Sequence, residues 1–263
     1  YGYLTENEMN KFETTFHISL EINELILQKY NRQNIESLIT NFFDVPIYRN
    51  QLITNHRKRT IKTISIFPIS NSPLRTLPMY LLNLIVGHFI ERYNVEIFLD
   101  KSNISEYVYE NINNKEKLIF HYPANYEILI EKIKGIEFGV FPDSGPLHIA
   151  KIFQKKGILI ISSVSKNILL NKFYSIKSIQ SNYKSDYCKG PCGLVNVFEY
   201  KNNYGCYDKL SISKKNLLAN ENLNKLQRGC LKKNYLNLYI SSINCYKYFN
   251  SKKIIKFLSK NLN

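Results

Sequence analysis

The stretch FPDSGPLHIAKIFQKKGILIISS, from Phe141 to Ser163, predicts the fold of this chain. It starts with the end of an apolar strand, passes through a short polar turn into a helix, and ends in a second apolar strand. Pro146 suits the first turn of a helix because it has no N–H group to leave without a partner. A short apolar strand, a helix and another short apolar strand indicate a parallel sheet whose strands are joined by helices.

The same rhythm precedes this stretch from Thr60 onward. Such alternation predicts an α/β fold, a Rossmann-like parallel sheet with helices on both faces. Sheets of this kind bind ligands at the carboxyl ends of their strands. The predicted strands are Thr63–Ile69, Val95–Asp100, Lys117–Tyr122, Ile136–Pro142 and Gly157–Ser163, and the predicted helices are Leu77–Arg92, Ser105–Ile112, Ala124–Lys134 and Gly145–Gln154.

The pattern divides the chain into two regions. Residues 1–59 combine apolar positions at helical spacing with a basic connection, so we interpret them as a helical segment plus linker. Residues 60–263 form the Rossmann-like domain, whose pattern loosens beyond Ser163. The end of this domain, Asn244–Leu262, is typical of a basic amphipathic helix, which could pack across a domain junction or lie on a membrane surface.

The net charge of +15 predicts an anionic partner such as a phosphorylated small molecule or an acidic membrane. The basic residues are dispersed along the chain, which argues against nucleic acid as the partner. The longest apolar run, Met79–Ile90, is shorter than a membrane span, so we expect a buried helix there. The chain starts at Tyr1 without a charged and apolar leader, and a cytoplasmic location is expected.

The polar turn between strand and helix has two interpretations. The first N–H groups of a helix have no internal partners and its dipole favours negative charge. A diphosphate there would contact the amides near Gly145, the Ser144 hydroxyl and, one turn further, the His148 imidazole. Alternatively, Asp143 or Ser144 simply caps the helix. The position of the turn after a strand of a parallel sheet favours the ligand.

Two motifs resemble glycosyltransferase family 9, the ADP-heptose:lipopolysaccharide heptosyltransferases. PDSGPLHIAKIFQKKGILI (Pro142–Ile160) is similar to that family's Asp-(Ser/Thr)-Gly-Pro-x-His-x-Ala motif, and FPISNSPLRTLP (Phe67–Pro78) is similar to its first donor-domain strand and the following loop. The resemblance covers roughly 60–163. It implies that Asp143 faces sugar or ribose hydroxyls, that Arg75 binds the donor phosphates, and that Ser70 and Asn71 add polar contacts.

The resemblance also implies a mechanism. The domain would be the C-terminal, donor-binding half of a GT-B enzyme that moves heptose, or a related sugar, from a nucleotide diphosphate to a phosphorylated glycolipid such as a lipopolysaccharide core. Transfer would be inverting, and the sequence has no Asp-x-Asp pair for a nucleotide-bound metal. The family's catalytic base belongs to an acceptor domain of which residues 1–59 would be the tail, so no catalytic residue is assigned. Work at the inner face of the inner membrane would suit the positive charge.

The cysteines form a separate feature. They follow the spacing Cys-x3-Cys-x13-Cys-x23-Cys between residues 188 and 230. Thiolates from a turn and two later segments can close a tetrahedral zinc or iron site with a structural role, while catalysis itself would need no cofactor. They could equally be buried small apolar residues. The four candidate ligands are Cys188, Cys192, Cys206 and Cys230.

A second function class fits the same sequence. The chain could be a non-catalytic, metal-stabilised Rossmann-like module that binds a nucleotide or an anionic polymer. A carboxylate across a cleft from the Asp143 turn would favour the enzyme, whereas an open surface would favour the module.

Overall fold

The structure, a computed structural model, describes residues 60–70, 72, 74–170, 175–184, 190–191, 239, 244–247 and 249–262. Within them lies one six-stranded sheet in which every paired strand is parallel to its neighbour. This confirms the predicted α/β class. The strands are β1 (Thr63–Ile66), β2 (Asn94–Phe98), β3 (Leu118–His121), β4 (Phe138–Phe141), β5 (Gly157–Ile161) and β6 (Ile176–Gln180).

Helices connect these strands and follow the last of them. Four of them start at a residue whose side chain accepts a hydrogen bond from a first-turn N–H group, the usual way to satisfy those donors: Ser102, Asn125, Ser165 and Asn250. The helices are α1 (Met79–Phe89), α2 (Asn103–Asn111), α3 (Tyr126–Gly135), α4 (Gly145–Ile152), α5 (Lys166–Leu169), α6 (Asn244–Lys247) and α7 (Ser251–Lys260), with a 3-10 turn at Lys115–Lys117.

The order of the strands across the sheet is β3-β2-β1-β4-β5-β6. The chain therefore builds outward from β1 in one direction, then returns from the β3 edge to place β4 on the other side of β1. In the register between these two strands, Ile66 is opposite Val140. Loops that leave β1 and β4 diverge at this point, which creates a crevice at the carboxyl ends of the strands.

Alternation along each strand divides the core into two layers. On one face, Ile64 and Ile66 belong to an apolar cluster that includes residues of α1, α2 and α7. On the other, Phe67 and Phe141 belong to a cluster with residues of α3, α4 and α5. Successive strand side chains point to opposite faces, so a sheet buried on both sides needs apolar residues at nearly every position. The predicted cover of helices on both faces is confirmed.

The strands end earlier than the sequence predicts. β1 stops at Ile66 rather than Ile69, although the Phe67 N–H still donates to the Val140 carbonyl at 2.9 Å. Pro68 follows and has no N–H group to continue the ladder. The structure also adds β6, which the loosened pattern beyond Ser163 did not predict.

The C-terminal region contains the two helices α6 and α7 rather than one. α7 packs on α1 and buries Ile254 and Leu258, so its apolar face is used inside the protein. Packing is thus the outcome, and the lysines occupy the exposed face of α7. The run Met79–Ile90 holds the buried helix α1, as predicted. No helix among the described residues is long and apolar enough to span a bilayer.

Candidate functional site

The polar turn after β4 and the loop after β1 meet at the crevice between these strands. The Asp143 carbonyl accepts hydrogen bonds from the Ser70 hydroxyl at 2.9 Å and from Arg75 Nη1 at 3.1 Å. Arg75 Nη1 also lies 3.4 Å from Asp143 Oδ2, and this carboxylate is almost fully buried. Arg75 is a predicted phosphate contact and Asp143 a predicted sugar or ribose contact. The structure brings these two residues together although they are 68 positions apart in the sequence.

His148 lies one turn into α4, as the motif places it. Its Nε2 atom is 4.0 Å from Asp143 Oδ1, and about a third of its side chain is exposed. A protonated imidazole at that distance would be attracted to the carboxylate without a direct hydrogen bond. His148 therefore stands beside the turn with access to solvent.

The start of α4 has no side-chain cap. Ser144 occupies the N-cap position in extended backbone but makes no capping hydrogen bond. Its hydroxyl instead donates over 3.4 Å to the Pro142 carbonyl, a long contact. The interpretation in which Ser144 caps this helix is therefore wrong. In the first turn of α4, Pro146 has no N–H group and the Leu147 N–H donates to the Ser144 carbonyl at 3.1 Å. The Gly145 N–H is therefore the first-turn donor left to water or a ligand.

Gly145 begins α4 and leaves space above its backbone. A methyl group added there would meet nothing within 4 Å outside the neighbouring residues. The strand glycines differ, since a methyl on Gly157 would come within 2.4 Å of the Gly139 carbonyl oxygen. Space at Gly145 means that a ligand can approach the helix start closely.

A cleft of about 640 Å³ opens above these groups. Such a volume is ordinary for sites that hold cofactor-sized ligands. Its polar lining includes Ser70, Arg75, Ser144 and Gly145. Its apolar lining comes from the strand ends, the loop after β3 and the first turns of α3: Phe67, Phe98, Leu99, Pro123, Tyr126 and Leu129. The cleft thus combines an anion-binding wall with an apolar wall.

Asp100, just after the end of β2, also lines this cleft. It forms a turn there, because its Oδ1 atom accepts from the Ser102 N–H at 3.0 Å and from the hydroxyls of Ser102 and Ser105 at 2.5 Å each. These bonds fix the carboxylate at the end of β2. In the sequence, Asp100 stands at the end of a predicted strand, where a parallel sheet binds ligands. The structure shows that this position borders the cleft.

A second cavity, of about 590 Å³, lies between α3 and the sheet. Glu96 connects two polar groups there: it accepts from the Ser65 hydroxyl at 3.0 Å and lies 3.4 Å from His121 Nε2. No described residue of the loops that follow β1 and β4 lines it. His121 was assigned no role from the sequence, and its buried Nε2 atom makes no hydrogen bond within the described residues.

Part of the predicted site lies outside the described residues. Asn71 is one such residue, and the predicted metal ligands Cys188, Cys192, Cys206 and Cys230 are the others. Cys245, the cysteine that lies within the described residues, is buried in α6. Within the ranges that the structure describes, no three His, Cys, Asp or Glu side chains are grouped to hold a metal ion.

Comparison with known proteins gives matches in solved structures. No family model matches the chain, and no curated protein matches it. The chain is similar to E. coli ADP-heptose lipopolysaccharide heptosyltransferase II at 16% identity, with 55% of this chain and 42% of that one covered and a TM-score of 0.39.

Two further structures are similar to this chain. One is the E. coli heptosyltransferase WaaC with ADP, at 9% identity, 48% and 40% coverage and a TM-score of 0.43. The other is a family 9 glycosyltransferase from Veillonella parvula, at 14% identity, 52% and 44% coverage and a TM-score of 0.42. The chain spans less than half the length of each of these three structures.

Proposed function

We propose that residues 60–263 are the donor-binding part of a glycosyltransferase of family 9, which takes a sugar from a nucleoside diphosphate sugar. One observation supports this most. The Arg75 guanidinium and the uncapped start of α4 border one cleft, which lies between β1 and β4, where the strand order reverses. The motif resemblance of Pro142–Ile160 supports the same assignment.

The diphosphate would lie against the start of α4. Its oxygens would accept a hydrogen bond from the Gly145 N–H, with the Ser144 hydroxyl and Arg75 as neighbours. As the bond between sugar and diphosphate breaks, negative charge grows on the departing diphosphate. A fixed guanidinium and a helix start stabilise that charge, because both are in place before the reaction.

The nucleoside and the sugar would occupy opposite sides of that phosphate position. Asp100 suits ribose hydroxyls, because carboxylates at the end of the second strand of such folds accept hydrogen bonds from them. The apolar wall at Phe98 and Pro123 suits a base. Asp143, with His148 beside it, would face the hydroxyls of the sugar.

The acceptor half of the reaction is a further part of the proposal. We infer an inverting transfer of heptose or a related sugar to a phosphorylated glycolipid of the lipopolysaccharide core type, without a nucleotide-bound metal. The base that activates the acceptor hydroxyl would belong to the acceptor side, so none is assigned. A structural zinc or iron site at the cysteines of 188–230 also remains part of this proposal.

A glycolipid acceptor would bring the protein to an anionic membrane at the inner face of the inner membrane. The exposed face of α7 has four lysines and no acidic residue. Two of them, Lys252 and Lys253, lie in the first turn, where the helix dipole disfavours cations. Because these two lysines do not stabilise the helix, their presence is better explained by an interaction outside it. This supports a role in binding anions.

Removing two of these charges is expected to weaken binding to vesicles that contain phosphatidylglycerol. Each lysine near such a surface contributes about 1 kcal/mol, so Lys252→Gln/Lys256→Gln should lower vesicle affinity about 30-fold in a sedimentation assay. Lys132→Gln/Lys166→Gln, on helices of the opposite face of the sheet, is the matched control and should leave affinity nearly unchanged. Equal effects of both pairs would show a dependence on net charge alone and refute the role of α7.

The donor site is tested by closing the space at Gly145. A methyl group there would lie where the phosphate approaches, so Gly145→Ala should weaken ADP binding about tenfold in calorimetry. Alanine before Pro146 also disfavours helical backbone, and Gly145→Ala/Pro146→Ala removes that effect. The double variant should keep the loss of affinity. Gly87→Ala, on the exposed side of α1, is the control that should bind like the wild type.

Results with ADP, UDP and GDP also separate the enzyme from the alternative module. Selective binding of one diphosphate, lost in the Gly145 variants, supports the proposed donor site. Binding that falls steeply with salt and ignores the nucleotide would favour the module that binds an anionic polymer. Unchanged affinity in both Gly145 variants would refute the proposed site.

A further inference from the structure

Tyr246 connects the C-terminal segment to the loop that contains Arg75. Its side chain is fully buried in α6, and its hydroxyl donates to the backbone carbonyl of Arg75 at 2.8 Å. The two residues are 171 positions apart in sequence. Tyr246 does not line the 640 Å³ cleft, so its effect on a ligand would be indirect.

A second buried hydroxyl, from a residue at the end of a strand, holds the neighbouring carbonyl of the same loop. Ser162, directly after β5, donates to the Leu74 carbonyl at 2.5 Å. The carbonyls of two consecutive residues, Leu74 and Arg75, are thus held by two buried hydroxyls. Within the loop, the Thr76 hydroxyl donates to the Ser70 and Ser72 carbonyls.

Hydrogen bonds to the carbonyls of Leu74 and Arg75 restrain the local backbone, and with it the direction in which the Arg75 side chain leaves the chain. The Arg75 guanidinium reaches Asp143 from a loop without regular secondary structure, so its position depends on how that loop is held. Burial raises the pKa of Tyr246 far above its ordinary value. The phenol therefore stays protonated and remains a donor throughout the physiological pH range.

The location of Tyr246 also explains why a polar phenol is buried here. A buried hydroxyl without a partner costs about 1 to 3 kcal/mol, so it must find an acceptor. The chain meets this requirement at the loop that we assign to phosphate binding. The α6 backbone is held to α1 in turn, because the Tyr80 hydroxyl donates to the Tyr246 carbonyl.

We propose that Tyr246 is a positioning residue for diphosphate recognition, acting through the backbone of Arg75. The inference rests on the proposed donor site and adds to it a residue from the C-terminal segment. It predicts that this segment determines affinity for the phosphates of the donor although it touches no part of the ligand. Ser162 shares the role through its hydrogen bond to the neighbouring Leu74 carbonyl.

The test is the removal of one oxygen atom. Tyr246→Phe keeps the ring in the core and should weaken ADP binding about fivefold to tenfold in calorimetry. Adenosine, which has no phosphates, should bind this variant as it binds the wild type. A general loosening of the domain would weaken both ligands together, so parallel losses would overturn the inference.

Tyr239→Phe is the matched control. Tyr239 is equally buried and its hydroxyl donates to the Leu77 carbonyl at 2.8 Å, two residues beyond Arg75. Both substitutions should lower the midpoint of thermal unfolding by similar amounts. Only Tyr246→Phe should change the affinity for ADP, and an equal loss in Tyr239→Phe would contradict the specific role of the Arg75 carbonyl.

A double-variant cycle tests the route of the effect. If Tyr246 acts through Arg75, then Arg75→Ala/Tyr246→Phe should bind ADP no more weakly than Arg75→Ala alone. Additive losses would place the effect elsewhere and overturn the inference. Should Tyr246→Phe fold poorly, Ser162→Ala removes the hydrogen bond to the adjacent Leu74 carbonyl and should also weaken ADP binding more than adenosine binding.

Failure of this inference can be distinguished from failure of the proposed function. A wild-type chain that binds ADP and loses it in the Gly145 variants, but not in Tyr246→Phe or Ser162→Ala, would overturn the positioning role alone. A wild-type chain that binds none of ADP, UDP and GDP would refute the donor site and the positioning role together.

Discussion

Arg75→Ala is expected to weaken binding of the donor diphosphate about 100-fold. Hydrogen bonds between charged groups contribute roughly 1.5 to 3 kcal/mol, and Arg75 supplies the guanidinium of the cleft beside the α4 start. Calorimetric titration with ADP measures the effect directly. Adenosine affinity should change little, because the nucleoside would lie on the apolar wall away from Arg75.

The same substitution should lower stability in a way that a second variant can correct. It leaves the Asp143 carboxylate, which is almost fully buried, without its guanidinium partner. An uncompensated buried charge is costly, so Arg75→Ala/Asp143→Asn should be more stable than Arg75→Ala in urea unfolding. The affinity for ADP should stay low in both, because neither has the cation.

Two controls separate charge from geometry. Arg75→Lys keeps the charge and loses the planar fork of donors, so its affinity should lie between those of the wild type and the alanine variant. Arg92→Ala removes an exposed arginine after α1 and should bind ADP normally. If Arg75→Ala and Arg92→Ala bound ADP equally well, Arg75 would have no part in phosphate recognition.

Gly157→Ala should be the most destabilising single substitution among the glycines of the sheet. The added methyl group would lie 2.4 Å from the Gly139 carbonyl oxygen and 3.0 Å from Phe141 Cε2. The first of these atoms belongs to the backbone of the neighbouring strand, which cannot move without separating β4 from β5. We expect a loss of roughly 4 kcal/mol or more in the free energy of unfolding, at the upper end for single substitutions.

Urea unfolding followed by circular dichroism measures this loss. Gly87→Ala is the matched control, since the new methyl group meets nothing within 4 Å on the exposed side of α1. Alanine favours helix over glycine, so this variant should gain about 0.5 to 1 kcal/mol. A Gly157→Ala protein as stable as the wild type would show that the two strands are not paired as described.

The sequence predicted the class of fold because parallel strands covered on both faces must be apolar at nearly every position. β5 shows this, since all its residues are buried, from Gly157 to Ile161. The same rule fails at the edge of the sheet. Only Ile176 is buried in β6, and the remaining positions are partly or fully exposed, so no run of apolar residues marks this strand.

The candidate site divides in the same way. The order of residues from Asp143 to His148 is local, so the strand, the turn and the start of α4 could be predicted from the sequence alone. The phosphate-binding role proposed for Arg75 rests on the resemblance of Phe67–Pro78 to a family motif. The contact between Arg75 and Asp143 is visible only in the structure. The alternative in which Ser144 caps α4 needed coordinates to be settled, because an N-cap serine is identical in sequence whether or not it makes the bond.

By itself the sequence determined the alternation of strands and helices and the polar turn between β4 and α4, since both depend on residues near one another in the chain. Only the tertiary structure decided that Arg75, Asp100 and Tyr246 gather around that turn. Their meeting depends on the order of strands across the sheet and on the packing of α6 and α7 against α1. Hydrophobic periodicity specifies which face of an element is buried, but it does not specify which element lies against that face.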